Sequence, residues 1–167
     1  MSEDRATEIL KNAILLEKRG QAFYSKVAAQ ASGAAVKNFF TLMAEEEVGH
    51  VKLLSEQFKS YSTHKKFKPA AYQDQGEFKT ASEILTKDLK KQISAADFEA
   101  AAVAAAMSME KNAIEIYTRR AAEAQDPDEK ALYDWLAKWE TAHLNFLAKL
   151  DKELTEEIWH DNRFWPF

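Results

Sequence analysis

From about Arg5 to Ala31 the apolar positions Ile9, Ala13, Leu16, Gly20, Phe23 and Val27 recur at alternating steps of four and three, the stripe that an α-helix buries in a bundle. This spacing predicts a first long helix that ends near Gly33, read as its C-cap. A second helix is predicted from about Ala34 to Tyr61, with Phe39, Phe40, Met43, Val51, Leu54 and Phe58 on its inner face. Between Ser62 and Lys79 no period is sustained, and Lys65, Lys66, Lys68, Pro69 and Gly76 mark a connection. Thr80-Ala81-Ser82-Glu83 is a capping-box pattern opening a short helix to about Ile93, and Ser94 starts a third long helix that reaches about Ala124. Asp126 as N-cap and Pro127 in the first turn open a fourth, to about Leu154. The tail carries Trp159, Phe164, Trp165 and Phe167, and so many large aromatics predict docking on the bundle or on a second subunit.

Tight turns join the first helix to the second and the third to the fourth, so each pair forms an antiparallel hairpin. The stretch between the hairpins is long enough to run back along a bundle about 40 Å tall at about 1.5 Å of rise per residue. The expectation is one all-α domain: hairpin one at about 5–61, crossover 62–94, hairpin two at about 95–154, tail 155–167.

Composition narrows the possibilities. With 4 Gly and 3 Pro in 167 residues, and 46% hydrophobic content, the chain suits long helices around a single core. A formal charge of −4 with interspersed signs offers no basic stripe for nucleic acid and no polybasic segment for a membrane. The richest apolar run, Ala95 to Met109, is interrupted by Asp97 and Glu99 and is too polar to span a bilayer. Zero cysteines remove disulfides, thiolate zinc sites and iron–sulfur centres, leaving oxygen and nitrogen ligands for any metal. Met1-Ser2-Glu3-Asp4 is acidic and lacks the basic and apolar parts of a secretory signal, so a cytoplasmic location is expected.

The two hairpins repeat one another at an offset of ninety-three residues, and the chemistry repeats with them. Glu17 matches Glu110, Glu47 matches Glu140 and His50 matches His143, in a register confirmed by Tyr24 with Tyr117, Ala28 with Ala121, Lys37 with Lys130 and Leu54 with Leu147. Glu47 and His50, like Glu140 and His143, stand at i and i+3, on one helix face and able to converge on one ion. Glu17 precedes the first turn by about as many residues as Glu47 and His50 follow it, and the second hairpin repeats those distances, so all six groups fall on one level near mid-bundle. Most helical glutamates are solvated surface groups, but these four are flanked at three and four residues by mostly apolar side chains and are expected to point inward. Buried together without partners, four carboxylates would be too costly to keep ionised. Two divalent cations would cancel their charge and leave both histidines neutral as ligands. Oxygen-rich ligation with one imidazole per metal suits iron or manganese better than a structural zinc; iron is the expected metal, with manganese or zinc as alternatives. Tyr24 and Tyr117 lie two turns beyond Glu17 and Glu110 on the same inward face, where they either bond ligand carboxylates and assist turnover or simply fill the core. His64 and His160 have no comparable setting, and Trp135 and Trp139 read as packing.

These residues resemble the rubrerythrin group of the ferritin-like superfamily, through Glu17 followed by Phe23-Tyr24, Glu46-Glu47-x-x-His50, Glu110 followed by Tyr117, and Glu140-x-x-His143. The resemblance covers nearly all of residues 5 to 154 and implies a ferritin-like four-helix bundle, usually dimeric or larger, with a non-haem di-iron centre that reacts with peroxide or dioxygen. A homodimer is the expected assembly. By matching position, the ligands would be Glu17, Glu47, His50, Glu110, Glu140 and His143. Full-length rubrerythrins carry a cysteine-ligated rubredoxin module that feeds electrons to the site. With no cysteine here, the reductant is expected from another molecule, such as a rubredoxin-like protein. Rubrerythrins also offer a further carboxylate about one turn beyond the third helix's ligand, where this chain has Ala113 and Ile114, so its ligand set is closer to that of bacterioferritin. The expected function is an oxidoreductase that reduces peroxide or dioxygen, the alternatives being a ferroxidase in iron handling or a non-catalytic metal-binding bundle.

Overall fold

In the computed structural model, residues 3–69, 72, 88–89, 91–93 and 98–160 are described. Four long helices dominate: α1 (Glu3–Gln30), α2 (Ala34–His64), α3 (Phe98–Glu123) and α4 (Pro127–His160). α1 packs along α2, and α3 along α4, as two antiparallel hairpins. Across the hairpins, Tyr24 reaches Glu110 while Tyr117 reaches Glu17, so α1 and α3 run in opposite directions. Phe39 meets Phe146 while His50 meets Trp135, and the same holds for α2 and α4. It follows that α2 and α3 are parallel, and the chain between them must return along the bundle.

The inner line of α1 runs through Ala6, Leu10, Ala13, Glu17, Gly20, Tyr24 and Val27, again at steps of four and three. It is rotated from the stripe that hydrophobicity alone predicts, because Ile9, Leu16 and Phe23 are only half-buried while Glu17 and Tyr24 are buried with Ala6 and Leu10. On α2, Phe39, Phe40, Met43 and Leu54 are buried as expected, with Val51 and Phe58 at the margin.

Gly33 corrects the expectation of a C-cap. It is the N-cap of α2 with φ −90 and ψ 137, an extended conformation open to any residue. Glycine is needed there because a β-carbon would stand 2.3 Å from Gln92 Oε1, the atom that accepts the Ala35 N–H at 2.9 Å. A crossover side chain thus caps α2. α2 runs to His64, three residues past the predicted end, and Lys65, at φ 56, closes it with its N–H on Tyr61 C=O at 2.9 Å. α4 also outruns its expected end near Leu154, since no glycine or proline interrupts it before His160. At its start Asp126 accepts from the N–H groups of Asp128 and Glu129 at 2.8 and 3.3 Å, as an N-cap should.

The beginning of the crossover is clamped by Gln57, whose amide donates to Lys68 C=O at 3.0 Å and accepts the Lys68 N–H at 2.8 Å. Further on, Asp88-Leu89 and Lys91-Gln92 are helical, and Leu89 and Ile93 enter the core. The Thr80–Glu83 capping box and the tail aromatics Phe164, Trp165 and Phe167 lie outside the described residues; Trp159 is exposed at the end of α4. No helix among the described residues is long and apolar enough to cross a membrane.

Two apolar clusters make the core. One gathers Phe39, Phe40, Met43, Val103, Leu147 and Leu150; the other gathers Leu10, Leu54, Phe67, Leu132 and Leu136. Glu17, Glu47, His50, Glu110, Glu140 and His143 belong to neither. They form a buried polar layer between the two.

Candidate metal centre

Every hairpin helix contributes to this layer. α1 supplies Glu17, α2 supplies Glu47 and His50, α3 supplies Glu110, and α4 supplies Glu140 and His143. Each of the six is at most 3% exposed. Their potential ligand atoms fall into two groups, Glu17, Glu47, His50 and Glu140 in one and Glu47, Glu110, Glu140 and His143 in the other, with the atoms of each within 4.8 Å of one another. Glu47 and Glu140 are in both. The sequence brings six residues to one level; the structure adds that two of the carboxylates are common to both groups, with Glu17 and His50 on one flank and Glu110 and His143 on the other.

Both imidazoles turn Nδ1 toward the carboxylates. His50 Nδ1 lies 3.0 Å from Glu17 Oε2, 3.0 Å from Glu140 Oε1 and 3.6 Å from Glu47 Oε2. His143 Nδ1 lies 3.1 Å from Glu140 Oε2 and 3.6 Å from Glu110 Oε1. In the helical i, i+3 pairing, Nδ1 is therefore the nitrogen available to a metal in each half. The two rings stack at 26°, centroids 6.0 Å apart.

Tyr24 and Tyr117 cross between the hairpins. Tyr24 Oη donates to Glu110 Oε1 and Tyr117 Oη donates to Glu17 Oε1, so each tyrosine orients the flanking glutamate of the other repeat. Burial and then the adjoining carboxylate hold both phenols well above their ordinary pKa, keeping them neutral donors.

Without a cation the charges redistribute onto protons. Burial and the charge of Glu140 push the Glu47 carboxyl well up, and the same two causes raise Glu110 to about 7. Burial disfavours a charged imidazole, yet Glu140, Glu17 and Glu47 outweigh it at His50 and hold it well above its usual value. At His143 burial is likewise outweighed, by Glu110 and Glu140, and the pKa rises to about 10. Burial pushes Glu140 up, but His50 and His143 on either side reverse this and hold it well below the usual carboxylate range. Metal-free, the layer is thus neutralised by bound protons, and two divalent cations would displace them.

Space has been left beside the shared carboxylates. A β-carbon on Gly20 would stand 3.2 Å from Glu47 Cδ, so the close approach of Glu47 to α1 depends on glycine. Between α1 and α3 a cavity of about 20 Å³ reaches the site, walled by Leu16, Gly20, Met109 and Ala113, with Glu47 and Glu140 at its floor. That is room for about one water-sized molecule. A larger groove of about 630 Å³ lies on the outer face of α1 and α3 around Arg5, Arg19 and Arg119; it includes Tyr117 but none of the carboxylates. Of these two spaces, the small cavity borders the carboxylate layer.

Sequence reasoning missed the indoles at the site. Trp135 and Trp139 each meet the His50 ring edge-on, with centroids 5.7 and 5.8 Å away. Their i, i+4 spacing, with Trp139 one turn before His143, was the available signal. His64 and His160 are exposed and away from the layer.

A family model described as Rubrerythrin matches residues 8–151. No curated protein and no solved structure gives a significant match.

Proposed function

Because the chain belongs to the rubrerythrin family, we propose that its buried layer holds two divalent metal ions, iron foremost, and reduces peroxide or dioxygen with electrons from an external donor. The observation that carries this reading is the pair of ligand groups sharing Glu47 and Glu140 beside a cavity of about 20 Å³. Glu17 and His50 would complete one metal's ligands, Glu110 and His143 the other's, with Glu47 and Glu140 spanning both. Two Fe(II) ions held there would supply the two electrons that peroxide reduction requires.

The side chains supply the rest. Leu16, Gly20, Met109 and Ala113 line a space that suits a molecule about the size of water or peroxide. Tyr24 and Tyr117 fix the flanking glutamates through their hydroxyls and stay protonated. The apolar clusters on both sides keep bulk water from the layer, strengthening every charge interaction within it.

The test is single-turnover oxidation. Protein loaded anaerobically with Fe(II) should bind two ions per chain and consume one peroxide per two Fe(II), far faster than Fe(II) in buffer. Oxidation no faster than free Fe(II) would leave a metal-binding bundle without this activity.

A further inference from the structure

The proposed chemistry leaves one feature unused, a run of aromatic rings that begins at His50. Trp135 and Trp139 meet the imidazole edge-on at 82° and 89°. The two indoles lie 5.0 Å apart, and Tyr72 of the crossover stacks on Trp135 at 5.4 Å and 26°. His50 is sealed in the core, whereas Tyr72, Trp135 and Trp139 are each only partly buried. The rings therefore lead from one half of the ligand layer to the surface with no wide gap. At the equivalent positions of hairpin one stand Leu42 and Glu46, so the arrangement belongs to hairpin two alone.

We propose that Tyr72, Trp135 and Trp139 form an electron conduit between the surface and the His50 side of the site, through which a soluble one-electron donor restores the oxidised metal pair. This rests on the redox reading above. Each transfer oxidises the donor by one electron and reduces the metal pair by one, and no bond of the chain forms or breaks. Two transfers replace the two electrons that one peroxide removes. Electron exchange between rings decays exponentially with the gap, so short steps through touching rings outpace one long jump from the surface. Trp139 Nε1 is buried and makes no hydrogen bond among the described residues. An indole that gives up an electron there has no acceptor for its proton among the described residues; it remains a strongly oxidising cation and is refilled from Trp135, 5.0 Å away. When no donor is present, the same path lets an oxidising equivalent leave the site as an indole radical.

Iron-loaded protein mixed with excess hydrogen peroxide without reductant, freeze-quenched and examined by electron paramagnetic resonance, should show an indole radical. Peptide mass spectrometry should then find oxidation concentrated at Trp135 and Trp139. Trp139→Phe and Trp135→Phe should each lower the radical yield and slow re-reduction of the oxidised site by a soluble one-electron donor, by about tenfold or more, with metal content at the wild-type value. Trp135→Phe, which removes the indole that meets both Tyr72 and His50, carries the test if Trp139→Phe impairs metal loading. A radical confined to Tyr24 or Tyr117, or re-reduction rates unchanged in both variants, would overturn the conduit and leave the two-metal reading standing. A wild-type protein that binds two ions but is not oxidised by peroxide would overturn the redox reading instead.

Discussion

Hairpin one places Val27 and Val36 in the apolar core near its turn; at the same two positions ninety-three residues on, hairpin two has Arg120 and Glu129, a buried ion pair with Arg120 Nε 3.0 Å from Glu129 Oε1. Gly20 beside Glu47 corresponds to Ala113, and Leu42 and Glu46 correspond to Trp135 and Trp139. The six candidate ligands and the two tyrosines, by contrast, match one for one. The difference teaches where the symmetry of the fold is binding. Glu47 and Glu140 belong to both ligand groups, and each tyrosine serves the other hairpin's glutamate, so a change in one half disturbs both. Away from those shared groups the repeats differ, both at the turn, where Arg120 and Glu129 replace two valines, and around the layer, where a glycine and two indoles each stand on one side only.

The largest effect should separate shared from flanking carboxylates. Glu47→Ala or Glu140→Ala removes a group common to both ligand sets and should abolish stable binding of both ions, whereas Glu17→Ala or Glu110→Ala should leave about one per chain; elemental analysis after gel filtration distinguishes the two. Each lost tenfold in affinity corresponds to about 1.4 kcal/mol. Equal loss from all four variants would mean that the sharing does not matter.

Next in size is the ion pair. Arg120→Val leaves Glu129 buried without its partner and should cost about 3–5 kcal/mol in denaturant unfolding. Adding Glu129→Val, which restores the pair of valines found in hairpin one, should recover most of that loss. A double variant as unstable as the single one would show that the two turn ends are not interchangeable.

A pH series probes the layer that the hairpins share. Glu110 rises from 4.5 to about 7 on folding, so its contribution to metal-free stability is complete below 4.5 and is lost as pH climbs through 7. His143 rises from 6.5 to about 10, and its contribution is lost between those values. Glu140 is held below its unfolded value and therefore contributes throughout this range. Metal-free protein should accordingly lose thermal stability from about pH 5 to 9, while stabilisation by added metal, which competes with these protons, should grow. Metal stabilisation that shrinks with rising pH would contradict a shared buried site.

The smallest effect tests the glycine. Gly20→Ala gains about 1 kcal/mol of helix propensity but crowds Glu47, so metal affinity should fall several-fold while metal-free stability changes little. Ala113→Gly, the reciprocal exchange, should cost about 1 kcal/mol of stability and leave affinity nearly unaltered. Calorimetric titration of both variants checks the pair.

Much of this was legible in the chain. The four-and-three spacing marked the long helices, and the ninety-three-residue repeat brought Glu17, Glu47, His50, Glu110, Glu140 and His143 to one level, because a helix fixes the height of every residue once its turn is known. Asp126 could be identified as an N-cap since its role depends on its nearest neighbours. Gly33 was misread for the opposite reason: the atom that demands a glycine there is Gln92 Oε1, nearly sixty residues away, and no local pattern reports it. The inner line of α1 departs from the hydrophobic stripe because hydrophobicity does not rank a glutamate among the buried residues of a helix.

Periodicity and offset, which depend only on distances along the chain, determined the helices, their pairing into hairpins and the six polar residues at mid-bundle. Tertiary structure alone decided which carboxylates are shared, which glutamate each tyrosine orients, how small the cavity beside them is, and that two indoles lie against His50. Those are distances between different helices, set by how closely side chains such as Gly20 and Glu47 let the helices approach, and a one-dimensional pattern carries height and facing but not that separation.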